Sequence, residues 1–169
     1  MDQGKFWLWA VLLVLPFPVL GGGTPAGGIS AGWGDGAERY GLGIQWQKEW
    51  RTIRSGKLDI TLNLDGSYWT SDDDELTQIS LVPGLVYMWD SPGLSPLLYA
   101  GVGPAWINQT RLGERELSTQ LQFNSRAGLG VMLGRHSLAL EAWHLSNAGL
   151  KQPNDGLTTW GISYRYRLD

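Results

Sequence analysis

The feature that most constrains this chain is a period-two alternation of apolar and polar residues, repeated in eight blocks after residue 26. Successive side chains on a strand point to opposite faces, so each block specifies a strand with one apolar and one polar side. The blocks fall near 27–34, 38–49, 57–70, 76–89, 94–109, 118–134, 136–147 and 158–169. A tilted strand crosses a bilayer in about 9–11 residues, and every block except the first clearly has that length. In the second block Tyr40, Leu42, Ile44 and Trp46 oppose Arg39, Gly41, Gly43, Gln45 and Gln47. In the sixth, Leu121, Phe123, Ala127, Leu129, Val131 and Leu133 oppose Gln122, Asn124 and Arg126.

Alternation alone does not say which face points inward. A soluble, lipocalin-like barrel turns its apolar side chains in; a membrane barrel turns them out. Composition bears on the choice. The chain has 24 glycines and 10 tryptophans. Glycines and paired charges share the polar faces, as the cramped interior of a small barrel requires. Trp or Tyr ends many apolar faces (Tyr40, Trp46, Tyr87, Trp89, Trp106, Trp160, Tyr166), in the manner of two interfacial girdles. The favoured fold is therefore all-β, an eight-stranded antiparallel transmembrane barrel of the outer membrane. With both ends periplasmic, the connections near 34–38, 66–75, 109–118 and 147–157 face outward, and those near 50–56, 90–94 and 134–136 face the periplasm.

The N-terminus predicts export. Lys5 precedes an apolar stretch from Phe6 to Leu20, and Gly21–Ala26 is small and turn-prone. The apolar stretch is short of the roughly 20 residues of a spanning helix, so residues 1–26 read as a cleaved signal peptide, with an uncleaved anchor as the alternative. Cleavage is expected after Ala26 or one of the glycines before it. The barrel takes residues 27–169. The net charge of −3 gives no footprint for nucleic acid, and the absence of cysteine excludes disulfides and thiolate metal sites. No cofactor or metal is called for. Asp72, Asp73, Asp74 and Glu75 read as a solvated loop tip.

The seventh block carries the chemistry. Leu138, Leu140 and Ala142 form its outward face, so His144 and Ser146 share that face at the outer rim. An imidazole beside a hydroxyl is the minimum for nucleophilic attack on an acyl carbonyl. The same two residues could equally be ordinary rim residues.

His144–Leu157 reads HLSNAGLKQPNDGL, opening the last outer loop. This segment closely resembles the PagL family of outer-membrane lipid A 3-O-deacylases, with weaker support from the GLGIQW run at Gly41–Trp46 and the strand number. The resemblance implies an eight-stranded barrel that hydrolyses the 3-linked acyl ester of lipid A, with lipopolysaccharide of the outer leaflet as substrate and a site facing lipid. It also implies Ser146 as nucleophile and His144 as general base. The family carries a Glu two residues after the Gly of PNDG, and here Thr158 stands at that position. Asp155 is the candidate replacement acid. Asn147, Gly149 and Asn154 are candidates for the oxyanion hole, and Arg111, Arg115 and Lys151 for the substrate phosphates. A non-enzymatic barrel keeping the family scaffold, an esterase for another membrane lipid, and a homodimer all stay open.

Overall fold

The computed structural model describes residues 21–72 and 74–168. In chain order the strands are β1 (Thr24–Gly34), β2 (Ala37–Ile53), β3 (Gly56–Ser71), β4 (Asp74–Trp89), β5 (Leu94–Ile107), β6 (Arg111–Leu112), β7 (Arg115–Glu116), β8 (Leu121–Leu133), β9 (His136–Ser146) and β10 (Leu157–Arg167). Eight of them close an antiparallel barrel in the order β1-β10-β9-β8-β5-β4-β3-β2, while β6 and β7 form a separate hairpin. Closure gives each barrel strand two partners, so no row of unpaired amides meets lipid. The seam is β1 against β10, with Gly32 opposite Gly161. A Cβ on Gly161 would overlap the Ala31 carbonyl and Gly32 Cα, so this pair lets the two ends of the sheet meet.

The expected faces hold. Leu42, Ile79, Leu129, Leu140 and Trp160 are exposed on the wall, while Arg39, Gln45, Asn63, Arg126 and Glu141 are buried inside. Trp33, Tyr40, Trp106 and Trp160 ring the outer end; Trp50, Trp89, Tyr164 and Tyr166 ring the inner end. The middle of the lumen holds a charge network, with the apolar cluster of Val86, Leu97, Tyr99 and Met132 toward its inner end. Arg126 meets Asp65 at 2.5 Å and Glu141 at 2.8 Å, and Arg165 meets Glu141 at 2.6 Å. Ser163 donates to the same Glu141 carboxylate at 2.6 Å. Pairing and hydrogen bonding within this network offset the removal of its charges from water.

Three differences from the sequence reading bear on the architecture. β1 begins at Thr24, and Ala26 is buried and paired with Gln45 and Arg167, so Thr24–Ala26 belong to the sheet. The predicted signal segment lies outside the described residues up to residue 20. β2 and β3 stay paired down to Ile53 and Gly56, across a bulge between Glu49 and Arg51, so the periplasmic turn shrinks to Arg54–Ser55. The bulge breaks the parity of the run at Lys48–Arg51, which hid this extension.

The third difference concerns the outer mouth. The connection after β5 folds as the β6–β7 hairpin, and its Leu112 and the following Leu117 are fully buried. They join Trp69, Leu76, Ile107, Trp143, Leu145 and Leu157 in one apolar cluster. The outer end of the lumen is thus an apolar plug capped by this hairpin, where the alternation alone suggested a polar interior throughout. A filled lumen leaves the outside of the wall as the working surface.

Candidate active site

β9 delivers His144 and Ser146 to the outer end of the wall. Alternation puts them on the face of Leu138 and Leu140, while Ala139, Glu141, Trp143 and Leu145 point inward and are buried. His144 lies opposite Thr158 on β10 and Ser125 on β8; Ser146 lies opposite Phe123. The imidazole is exposed and Ser146 is half-buried.

One hydrogen bond orients the ring, and a loop glycine faces it. His144 Nδ1 lies 3.0 Å from Thr158 Oγ1. The backbone of Gly156 lies against the other side: a Cβ there would stand 3.0 Å from His144 Cε1 and 3.6 Å from Nε2. Gly156 also has φ +65°, a backbone conformation that side chains resist. Glycine at this position therefore lets the loop adopt this conformation beside the imidazole without strain or a tight side-chain contact. Among the described residues, no hydrogen bond joins Ser146 Oγ to His144. In unliganded sites such bonds are often long and tighten around substrate.

The turn after Ser146 is tied by Asn147, which is fully buried. Its Nδ2 donates to the carbonyls of Leu117 at 2.9 Å and Lys151 at 2.8 Å. Its Oδ1 accepts the Gly149 N–H at 2.8 Å, and its own N–H donates to Asn154 Oδ1 at 3.1 Å. Ala148 and Gly149 follow with φ of +53° and +79°. An Asn whose side chain closes onto the amide two residues on is the local device that permits such a turn. Of the sequence-derived oxyanion candidates, Asn147 and the Gly149 amide thus have their donors committed to the loop. Asn154 accepts through Oδ1, and its Nδ2 is the donor that remains.

The candidate acid is placed elsewhere. Asp155 Oδ2 accepts the backbone N–H of Glu116 at 2.8 Å, and Asp155 N–H donates to the Glu116 carbonyl at 3.1 Å. Asp155 so joins the last outer loop to the β6–β7 hairpin, and the partner at His144 Nδ1 is Thr158. Arg115, read from sequence as a phosphate contact, is likewise engaged within the protein. Its guanidinium donates to the carbonyls of Asp155 at 3.3 Å and Gly156 at 3.2 Å, and pairs with Asp35 at 3.3 Å. Arg111 and Lys151 are exposed at the rim, with Arg111 Nε on the Gly113 carbonyl at 2.9 Å. Asp35 escaped the sequence reading. It accepts the Thr158 N–H at 2.8 Å, yet its only signal was a DG turn between two strands.

Comparison with known proteins bears on this arrangement. The family model described as Lipid A 3-O-deacylase (PagL) matches residues 38–167, which include His144, Ser146 and Thr158. The lipid A deacylase PagL of Pseudomonas aeruginosa is 34% identical over 130 residues, 75% of each chain. That of Bordetella bronchiseptica is 30% identical over 146 residues, 76% of this chain and 80% of the other. The crystal structure of the outer membrane enzyme PagL superposes with a TM-score of 0.75 at 31% identity, covering 85% of this chain and 98% of that one. On the fold, the length matched and the rim segment together, the chain belongs to the PagL family of lipid A 3-O-deacylases.

Proposed function

We propose that this barrel is a serine esterase that removes the 3-linked acyl chain of lipid A in the outer leaflet, reaching its substrate through the wall. The observation that carries this reading is His144 held by Thr158 with Ser146 two residues on, on the lipid-facing rim. In the productive tautomer His144 Nδ1–H donates to Thr158 Oγ1, which leaves the Nε2 lone pair for the serine proton. Ser146 Oγ attacks the ester carbonyl as Nε2 takes that proton. The tetrahedral intermediate collapses when the imidazolium returns the proton to the departing sugar oxygen. Water, deprotonated by Nε2, then releases the fatty acid from Ser146.

Asn154 Nδ2 is the side-chain donor we assign to the developing oxyanion, with Asn147 and Gly149 shaping the turn that presents it. Arg111 and Lys151 are left to meet the phosphates of the substrate. All these groups lie on one chain, so a homodimer would add nothing to the site. A signal peptide cut among Gly21–Gly23 would leave β1 whole.

Thr158 is the observation that favours the rival reading, a barrel without activity. A triad lacking its carboxylate can lose about 10⁴ in kcat and still exceed the uncatalysed rate, so the substitution lowers the expected rate without abolishing it. The test is deacylation of purified lipid A by the detergent-solubilised protein. Ser146→Ala and His144→Asn should each abolish release of the 3-linked chain while the barrel stays folded. Release at the wild-type rate by Ser146→Ala would eliminate the serine mechanism.

A further inference from the structure

We propose that Asp35 and Arg115 are positioning residues, forming a clamp across three outer loops that fixes the Asp155–Thr158 segment against His144. The proposal rests on the esterase reading above. Its basis is the convergence of hydrogen bonds on three of four successive residues, Asp155, Gly156 and Thr158. Asp35, in the tight turn between β1 and β2, accepts the Thr158 N–H through Oδ2 at 2.8 Å. Its Oδ1 faces Arg115 Nη2 at 3.3 Å. Arg115, from the β6–β7 hairpin, donates through Nη1 to the carbonyls of Asp155 and Gly156. The Asp155 N–H and carboxylate are both bonded to Glu116 on the same hairpin. Thr158, which bonds the imidazole, and Gly156, which faces it, are therefore set by side chains from the first and third outer loops.

The clamp matters more here than it would beside a carboxylate. A carboxylate attracts an imidazolium and forms a charge-assisted bond; a threonine hydroxyl is neutral and has a short stem. It can orient the ring only if the backbone already holds it in place. Asp35 fixes that backbone at Thr158 itself. The β1–β10 ladder, which runs to Trp33–Trp160, brings the two together, and the Asp35 carboxylate then takes the Thr158 N–H beyond the end of that ladder. The Asp35 turn, with φ +51° at Asp35 and +73° at Gly36, presents the carboxylate at the rim.

The experiment is steady-state deacylation by Asp35→Ala, Asp35→Asn and Thr158→Val, singly and in combination. Asp35→Ala should lower kcat by up to about tenfold with KM within about twofold, no more than loss of the Thr158 hydroxyl itself. Asp35→Asn, whose amide oxygen can still accept the Thr158 N–H, should recover most of that loss. In a Thr158→Val background, Asp35→Ala should cost less than about threefold, because the group it positions is gone. Nitrogen NMR of the His144 imidazole in micelles should show a protected Nδ1–H in the wild type that is lost in Asp35→Ala, whether or not turnover is measured. Unchanged kcat in Asp35→Ala, losses that simply add in the double variant, or an unaltered Nδ1–H would overturn the clamp. If Asp35→Ala is fully active while Ser146→Ala is dead, the clamp alone fails. If Ser146→Ala retains the wild-type rate, the esterase reading fails, and the NMR result then decides the clamp alone.

Discussion

His144 is hydrogen-bonded by a residue with no charge. Thr158 meets Nδ1, so among the described residues the ring is oriented by a hydroxyl and not by a carboxylate. A neutral hydrogen bond contributes about 0.5–1.5 kcal/mol net, and one to a charged group about 1.5–3. Thr158→Val should therefore lower kcat by roughly tenfold, measured by fatty-acid release from lipid A. Thr158→Glu should raise kcat, by at least about tenfold and within the scale of known triad acids. It would place a carboxylate beside the ring near the membrane surface, where a charge costs about 0–1 kcal/mol. A fall in kcat for Thr158→Glu would mean that the site has been rebuilt around the hydroxyl. Ser146, His144 and Thr158 were all legible from parity and from the SNAGLKQPNDG segment. Asp155 was read as the acid because it is the only carboxylate in that loop. Its bonding to Glu116 depends on where the third loop folds, which no local pattern records.

At the scale of elements, the strands were legible and the caps were not. Alternation fixes which residues face lipid, because a one-residue slip would turn every charged side chain of a strand outward. The β6–β7 hairpin is too short to alternate, and its turn glycine, Gly113, is one of many glycines in the chain. What makes the hairpin matter is burial of Leu112 and Leu117 among inward residues of distant strands. Leu117 also accepts through its carbonyl from Asn147 Nδ2, so the plug and the turn after Ser146 share a residue. Leu117→Ala should cost about 2–5 kcal/mol. It should lower the thermal midpoint in detergent and open the outer loops to protease before the barrel wall melts. Loss of the wall and loops together would show that the plug is no separate support for the site.

At the scale of the molecule, the Arg126–Asp65–Glu141–Arg165 network and the apolar plug occupy the lumen of the described barrel. The proposed chemistry belongs to the wall, which in the outer membrane is where lipid A diffuses. The orientation has its own test. Leu140 is exposed at mid-strand on β9, between Leu129 and Ile162. Leu140→Arg should destabilise folding into bilayers by about 2–4 kcal/mol if that face meets lipid, as read by urea titration in vesicles. A soluble barrel would tolerate the same change at its surface. The central claim joins fold, site and substrate, and one measurement addresses all three: mass spectrometry of lipid A from a host lacking this activity that expresses the chain. The account predicts lipid A lighter by one 3-linked acyl chain with the wild type and unaltered lipid A with Ser146→Ala. Full-length lipid A in cells whose outer membrane holds the folded wild-type barrel would contradict it.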